Sequence, residues 1–120
     1  MIDPIDFDSD AFADIAAKDK RYAPRAYALL MDVFRYLTAD GKHVSAADIL
    51  DEFRERTLDQ YGPMSRTVLA EWGLGSCEDI GEMMLNLVES RRIARDEGDS
   101  PEEFRGGYDF DEAFADPYET

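Results

Sequence analysis

Residues 24–37 read PRAYALLMDVFRYL and form the most apolar helical pattern in this 120-residue chain. The apolar side chains that recur at the 3.6-residue period are Tyr27, Leu30, Met31, Phe34 and Leu37, with Leu29, Val33 and Tyr36 broadening the face. Pro24 suits the first turn of a helix, where its missing N–H costs no hydrogen bond. So broad an apolar face predicts a helix at the centre of the core.

Four further helices are predicted around this one from caps and breaks. Residues 8–10, Asp-Ser-Asp, offer N-cap oxygens for a short first helix that ends near residue 20. Ser45 and Asp48 have the approximate spacing of a capping box, which starts the third helix. Gly62-Pro63 ends that helix and begins a fourth, and Ser76 caps a fifth.

The inward stripes of these helices are predicted to form one core. Its members are expected to be Tyr27, Leu30, Phe34, Phe53, Leu69, Trp72, Met84, Leu87 and Val88.

The sequence therefore predicts a mainly α fold, a compact helical domain of about five helices. Two short segments, His43-Val44 and Arg92–Arg95 around Ile93, are expected to be extended. Their pairing would give a winged-helix-like topology with a very short β element, in which a helix starting at Pro63 or Cys77 is the recognition helix. A plain orthogonal helical bundle is the alternative.

The net charge of −15 lies mainly at the two ends of the chain. Residues 1–19 carry six Asp against one Lys, residues 20–95 are nearly balanced, and residues 96–120 carry ten acids against one Arg. This pattern is typical of one folded domain with charged ends. We expect a single domain over 1–120, with 1–8 and 115–120 frayed and 96–120 forming an acidic, aromatic C-terminal segment.

That C-terminal segment contains more aromatic rings than a disordered tail usually carries. They are Phe104, Tyr108, Phe110, Phe114 and Tyr118. Burial of such rings is strongly favourable, so residues 104–114 are expected to pack on the body of the domain or on a partner.

The chain has no apolar run of the roughly 20 residues that a membrane span requires, and its N-terminus lacks the pattern of a secretory signal. Cys77 is the only cysteine, so no intramolecular disulfide can form. These features predict a cytoplasmic protein without a membrane partner.

No catalytic centre, metal site or cofactor site is predicted. His43 is the only histidine, and its neighbours Ser45 and Asp48 are better explained as helix caps than as a catalytic triad. Cys77 lies at a helix start, where the dipole would favour a thiolate, but Glu78 and Asp79 oppose its formation, so a buried or inert thiol is expected. The glycine spacing matches no nucleotide-binding loop. We therefore expect no enzyme and no cofactor.

Arg91, Arg92 and Arg95 form the densest basic cluster, which Arg54, Arg56 and Arg66 are candidates to join in space. Nucleic-acid binding depends on neutralising phosphates, and a chain of net charge −15 is poorly suited to it unless the charge is strongly segregated. The competing interpretation is that these arginines pair with the acidic C-terminal segment.

Several short motifs resemble those of an uncharacterised bacterial family of small hypothetical proteins that has no assigned activity. The motifs are Arg21-Tyr22 with Ala26-Tyr27, His43-Val44-Ser45, Tyr61-Gly62-Pro63, Val68-Leu69 with Trp72-Gly73, Gly81-Glu82 with Asn86-Leu87-Val88-Glu89, and Tyr108-Asp109-Phe110 with Ala113-Phe114. The resemblance covers about Ile15 to Phe114 and implies a single structural unit.

The leading functional hypothesis is a non-enzymatic protein-interaction module with an unknown protein partner. Its candidate interaction residues are Arg91, Arg92, Arg95, Phe104, Tyr108, Phe110 and Phe114. The alternative is a winged-helix-like regulator that contacts nucleic acid through the arginine cluster, although nucleic-acid binding is not expected at physiological salt. The sequence leaves a homo-oligomer open.

Overall fold

A computed structural model describes residues 12–39, 41, 44–93 and 101–115, with only the backbone at 101 and 102. The helices of this part of the chain are α1 (Ala13–Lys18), α2 (Pro24–Thr38), α3 (Ala46–Tyr61), α4 (Ser65–Glu71) and α5 (Cys77–Glu89). The shorter elements are 3-10 turns at Gly62–Met64 and Pro101–Phe104 and a π-helical turn at Asp111–Ala115. The predicted class, a mainly α domain of about five helices, is confirmed.

Two helices begin at the caps that the sequence predicts. The backbone N–H of Ser45 donates to Asp48 at 3.2 Å, and the N–H of Asp48 donates to the Ser45 hydroxyl at 3.2 Å, which completes a capping box before α3. Before α5, the N–H of Ser76 donates to Asp79 at 3.1 Å in the same arrangement. These starts are predictable because a cap depends on residues three apart.

The core is close to the predicted one. Of its nine predicted members, all are buried except Val88, which is partly buried and packs against the others. Tyr36, which broadens the predicted apolar face, is 63% exposed instead, and the apolar residue Met64 is 56% exposed. Tyr36 lies at the margin of the apolar face of α2, and Met64 lies in the 3-10 turn before α4 begins.

The α1–α2 loop packs tightly on the end of α4. Gly73 has φ 92°, and the N–H of Leu74 donates to the carbonyl of Leu69 at 2.8 Å, which closes α4 in a Schellman motif. A Cβ atom on Gly73 would collide with the carbonyl oxygen of Arg21. The N–H of Ala23 donates to the carbonyl of Trp72 at 3.1 Å, so the two segments are joined through their backbones.

The brief strand expected around Ile93 is not observed, and the part of the chain that the structure describes contains no β-strand. Arg91 has φ 64°, and the N–H of Arg92 donates to the carbonyl of Leu87 at 3.0 Å. The amide that a strand would offer is therefore used to close α5. His43 and residues 94–95 lie outside the described residues, and Val44 only leads into the cap of α3.

Candidate functional site

Four aromatic rings of the C-terminal segment pack into the body of the domain, and the fifth, Tyr118, lies outside the described residues. Phe104 and Phe114 are fully buried and Phe110 is 3% exposed, while Tyr108 is partly buried. Phe110 and Phe114 meet edge to face with ring centroids 5.0 Å apart. The sequence left open whether this segment packs on the body of the domain or on a partner, and in the structure it packs on the body. Its buried rings therefore offer no contact surface to a partner in this conformation.

Tyr108 is tied to two helices. Its hydroxyl donates to the carbonyl of Leu50 at 2.9 Å, and its backbone N–H and C=O each lie 3.4 Å from the sulfur of Cys77. Burial raises the pKa of the Cys77 thiol, although its contact with the Tyr108 backbone lowers it in part. Cys77 is thus a buried thiol held in its protonated form, as the sequence predicts, and it helps to position the C-terminal segment.

The arginines that the sequence groups together have different surroundings in the structure. Arg91 is exposed in the turn after α5, whereas the Nη2 atom of Arg92 lies 2.8 Å from the Asp14 carboxylate of α1. Arg66 pairs with Asp111 at 2.9 Å, which agrees with the interpretation that body arginines bind the acidic C-terminal segment. Arg95 lies outside the described residues.

The C-terminal segment is not well suited to cover a nucleic-acid site reversibly. Asp111 does cover Arg66. However, removing the segment would also take away Phe104, Phe110 and Phe114 from the core. Detaching the segment from the body would expose apolar surface at a large cost in stability.

His43, the only histidine, lies outside the described residues. Within the described ranges, no group of three or more His, Cys, Asp or Glu side chains could hold a metal ion. No helix in these ranges is long and apolar enough to cross a membrane.

A cavity of about 210 Å³ lies between α1 and α5, and several of its polar groups already bind one another. The Nδ2 atom of Asn86 donates to Asp19 and to the Tyr27 hydroxyl, both at 2.9 Å. Asp19 also accepts from Arg21 at 2.7 Å, and Asp14 is occupied by Arg92.

This polar network connects the α1–α2 loop with α2 and α5. The hydrogen bonds from Arg21, followed by the one from Asn86, hold the pKa of Asp19 far below its usual range despite partial burial. The Tyr22 hydroxyl donates to Asp79 at 2.8 Å, so the loop before α2 is also bound to the start of α5. Because these groups satisfy each other, the cavity is best understood as a structural feature.

A second concave surface, which we call the α2–α3 groove, has unsatisfied polar side chains. It is shallow, has a volume of about 500 Å³, and is lined by Tyr36, Glu52, Glu55, Arg56, Asp59 and Gln60. The Arg56 guanidinium carbon lies 5.3 Å from the centroid of the Tyr36 ring, and its Nη2 atom lies 3.2 Å from Glu52. Nε of Arg56 is buried and has no hydrogen-bond partner in the described part of the chain.

The α2–α3 groove is the feature that sequence reasoning missed. In the sequence, Tyr36 broadens the apolar face of α2, and only the position of α3 decides whether such a marginal residue is covered. The signal in the sequence that points to this surface is the polar helical face formed by Glu52, Glu55 and Asp59 on α3.

Comparison with known proteins gives no relative: no family model, no curated protein and no solved structure matches the chain. The resemblance to a bacterial family stays a prediction.

Proposed function

We propose that this protein is a non-enzymatic interaction module that binds a protein partner through the α2–α3 groove. The observation that carries the proposal is the exposure of Tyr36. Among the aromatic residues of the described ranges, Tyr36 alone is exposed, while the others are buried or partly buried. Tyrosine and arginine are enriched among the residues that dominate protein interfaces, and Arg56 lies directly against this ring.

The preorganisation of the groove supports the same function. Glu52 and the Tyr36 ring hold the Arg56 guanidinium in place, so less side-chain entropy is lost when a partner binds. The whole surface is carried by two of the longer helices, α2 and α3, which pack directly on the core. Such a surface can bind without rearranging the fold.

Nucleic-acid binding through the arginine cluster ranks second. Arg92 and Arg66 already have carboxylate partners, and a duplex would have to displace Asp14 and Asp111 to reach them. The net charge of −15 opposes any polyanion as well.

The proposed function is tested by affinity capture from the native cell, with the full chain and two single variants as baits. Tyr36→Ala removes the exposed ring of the groove, and Met64→Ala removes another exposed apolar side chain elsewhere. We expect at least one protein that wild type and Met64→Ala retain and Tyr36→Ala loses, with direct binding confirmed by calorimetry on the purified pair. Equal capture by all three baits would overturn the groove as the interaction surface.

A further inference from the structure

The side chain of Tyr36 is only partly covered. The Arg56 guanidinium lies over the ring at 5.3 Å, yet the residue remains 63% exposed. Most of this residue is therefore open to solvent beside Arg56. The electron-rich face of an aromatic ring attracts cations, and it attracts planar guanidinium groups most often.

Two carboxylates of the groove have no partner in the described part of the chain. Glu55 and Asp59 are four residues apart on α3, a spacing at which like charges on one helix face are unfavourable. Neither carboxylate has an ion pair or hydrogen bond within the described ranges, whereas the neighbouring Glu52 is paired with Arg56. A cation supplied by a partner would pair with them without displacing another group.

We propose that the α2–α3 groove binds an arginine side chain of a partner polypeptide. Its guanidinium packs against the exposed part of the Tyr36 ring and donates hydrogen bonds to Glu55 or Asp59, which line the same groove. Arginine fits better than lysine, because its planar, weakly hydrated group can stack and bind carboxylates with several N–H donors at once. This inference rests on the proposed function and adds the chemistry of the partner.

The charge of the protein favours such a partner before contact is made. A chain of net charge −15 attracts a basic polypeptide at a distance and raises its association rate, an effect that weakens as salt rises. General attraction does not select a position, however. The test must therefore separate binding in the α2–α3 groove from attraction to the rest of the acidic surface.

The experiment is an NMR titration of the isotope-labelled full chain with acetylated tri-arginine amide, and with tri-lysine amide of equal charge. Shift changes are expected to concentrate at Tyr36 and at residues 52–60 of α3. Tri-arginine should bind about 2- to 5-fold more tightly than tri-lysine, the factor expected for stacking at an exposed site. Shift changes spread evenly over the acidic surface, or equal affinity for the two peptides, would overturn the proposal.

Three single variants locate the contacts. Tyr36→Ala and Asp59→Asn should each weaken tri-arginine binding, and Tyr36→Phe should retain it because the ring is kept. The matched control is Asp51→Asn, which removes the same charge from an exposed position on α3 that does not line the groove. Equal weakening by Asp51→Asn and Asp59→Asn would show only general attraction and would refute the site.

The two proposals fail in different ways. If capture finds a protein whose binding depends on Tyr36 but tri-arginine does not bind the α2–α3 groove, the arginine assignment is wrong and the interaction function stands. If tri-arginine binds there but no captured protein depends on Tyr36, the site chemistry stands and the proposed function is wrong.

Discussion

Replacing Phe114 by alanine tests whether the C-terminal segment is part of the fold. Phe114 is fully buried and meets Phe110 at 5.0 Å and Tyr108 at 5.7 Å between ring centroids. Truncating a buried phenylalanine costs about 3–5 kcal/mol, out of a total of about 5–15 kcal/mol for a domain. We expect Phe114→Ala to lower the melting temperature by roughly 10–30 °C, since each kcal/mol shifts it by a few degrees in a chain of this size.

The measurement is thermal and denaturant unfolding followed by circular dichroism. The matched control is Glu112→Ala, which changes an exposed residue of the same π-helical turn. We expect its effect to stay within about 0.5 kcal/mol, as is usual for surface positions. Deletion of residues 104–120 should be more severe, because it also removes Phe104 and Phe110 from the core, and it should promote association through the exposed apolar surface.

Hydrogen exchange on the intact monomer gives an independent check. The N–H of Ala113 donates to the carbonyl of Asp109 at 2.9 Å, so this amide should exchange slowly if the segment is packed as described. An unchanged melting temperature for Phe114→Ala, together with no protected amide anywhere in 104–114, would show that the segment is not packed on the body. Protection that develops only after a partner is added would instead favour docking on that partner.

Three further changes should alter stability in predictable directions. Gly73→Ala should destabilise strongly in denaturant unfolding, because the new Cβ collides with the Arg21 carbonyl and φ is 92°; a midpoint equal to wild type would contradict the described loop packing. Arg91→Gly should stabilise by up to about 1 kcal/mol, because glycine adopts φ 64° without steric cost, and any loss of stability would count against this backbone conformation. Asp19→Asn should lower stability near pH 7, and the difference from wild type should shrink as pH falls below about 4. The stability that a depressed folded pKa contributes is complete above the unfolded pKa and is lost as pH falls toward the folded pKa. Asp51→Asn is the matched control, and a pH-independent difference for Asp19→Asn would refute the role assigned to its ion pair with Arg21.

Much of the helical architecture could be predicted because its signals are local. Ser45 with Asp48, and Ser76 with Asp79, cap the helices where the sequence places them. The inward stripe of α2 is also local, since its period of 3.6 residues follows from the geometry of one helix. The wrong prediction of a strand around Ile93 also has a local cause. Arg91 adopts a backbone conformation that favours glycine, so the residue type at this position gives no signal that a helix ends there.

The positions of the C-terminal segment and of Tyr36 depend on residues that are distant in sequence. The order of residues in 104–114 indicates rings that need burial, but whether they pack on the body or on a partner depends on Leu50 and Cys77, which are 58 and 31 residues from Tyr108. Similarly, only the packing of α3 beside α2 leaves Tyr36 exposed over Arg56.

Local sequence signals predict where α3 and α5 begin and which face of α2 is apolar, because caps and helical periodicity act within a few residues. The tertiary structure alone decided which apolar residues are covered and which arginines have carboxylate partners, as in the pair of Arg66 and Asp111, 45 residues apart. The physical reason is that burial and ion pairing depend on distances between helices, which the spacing of residues along one helix does not define.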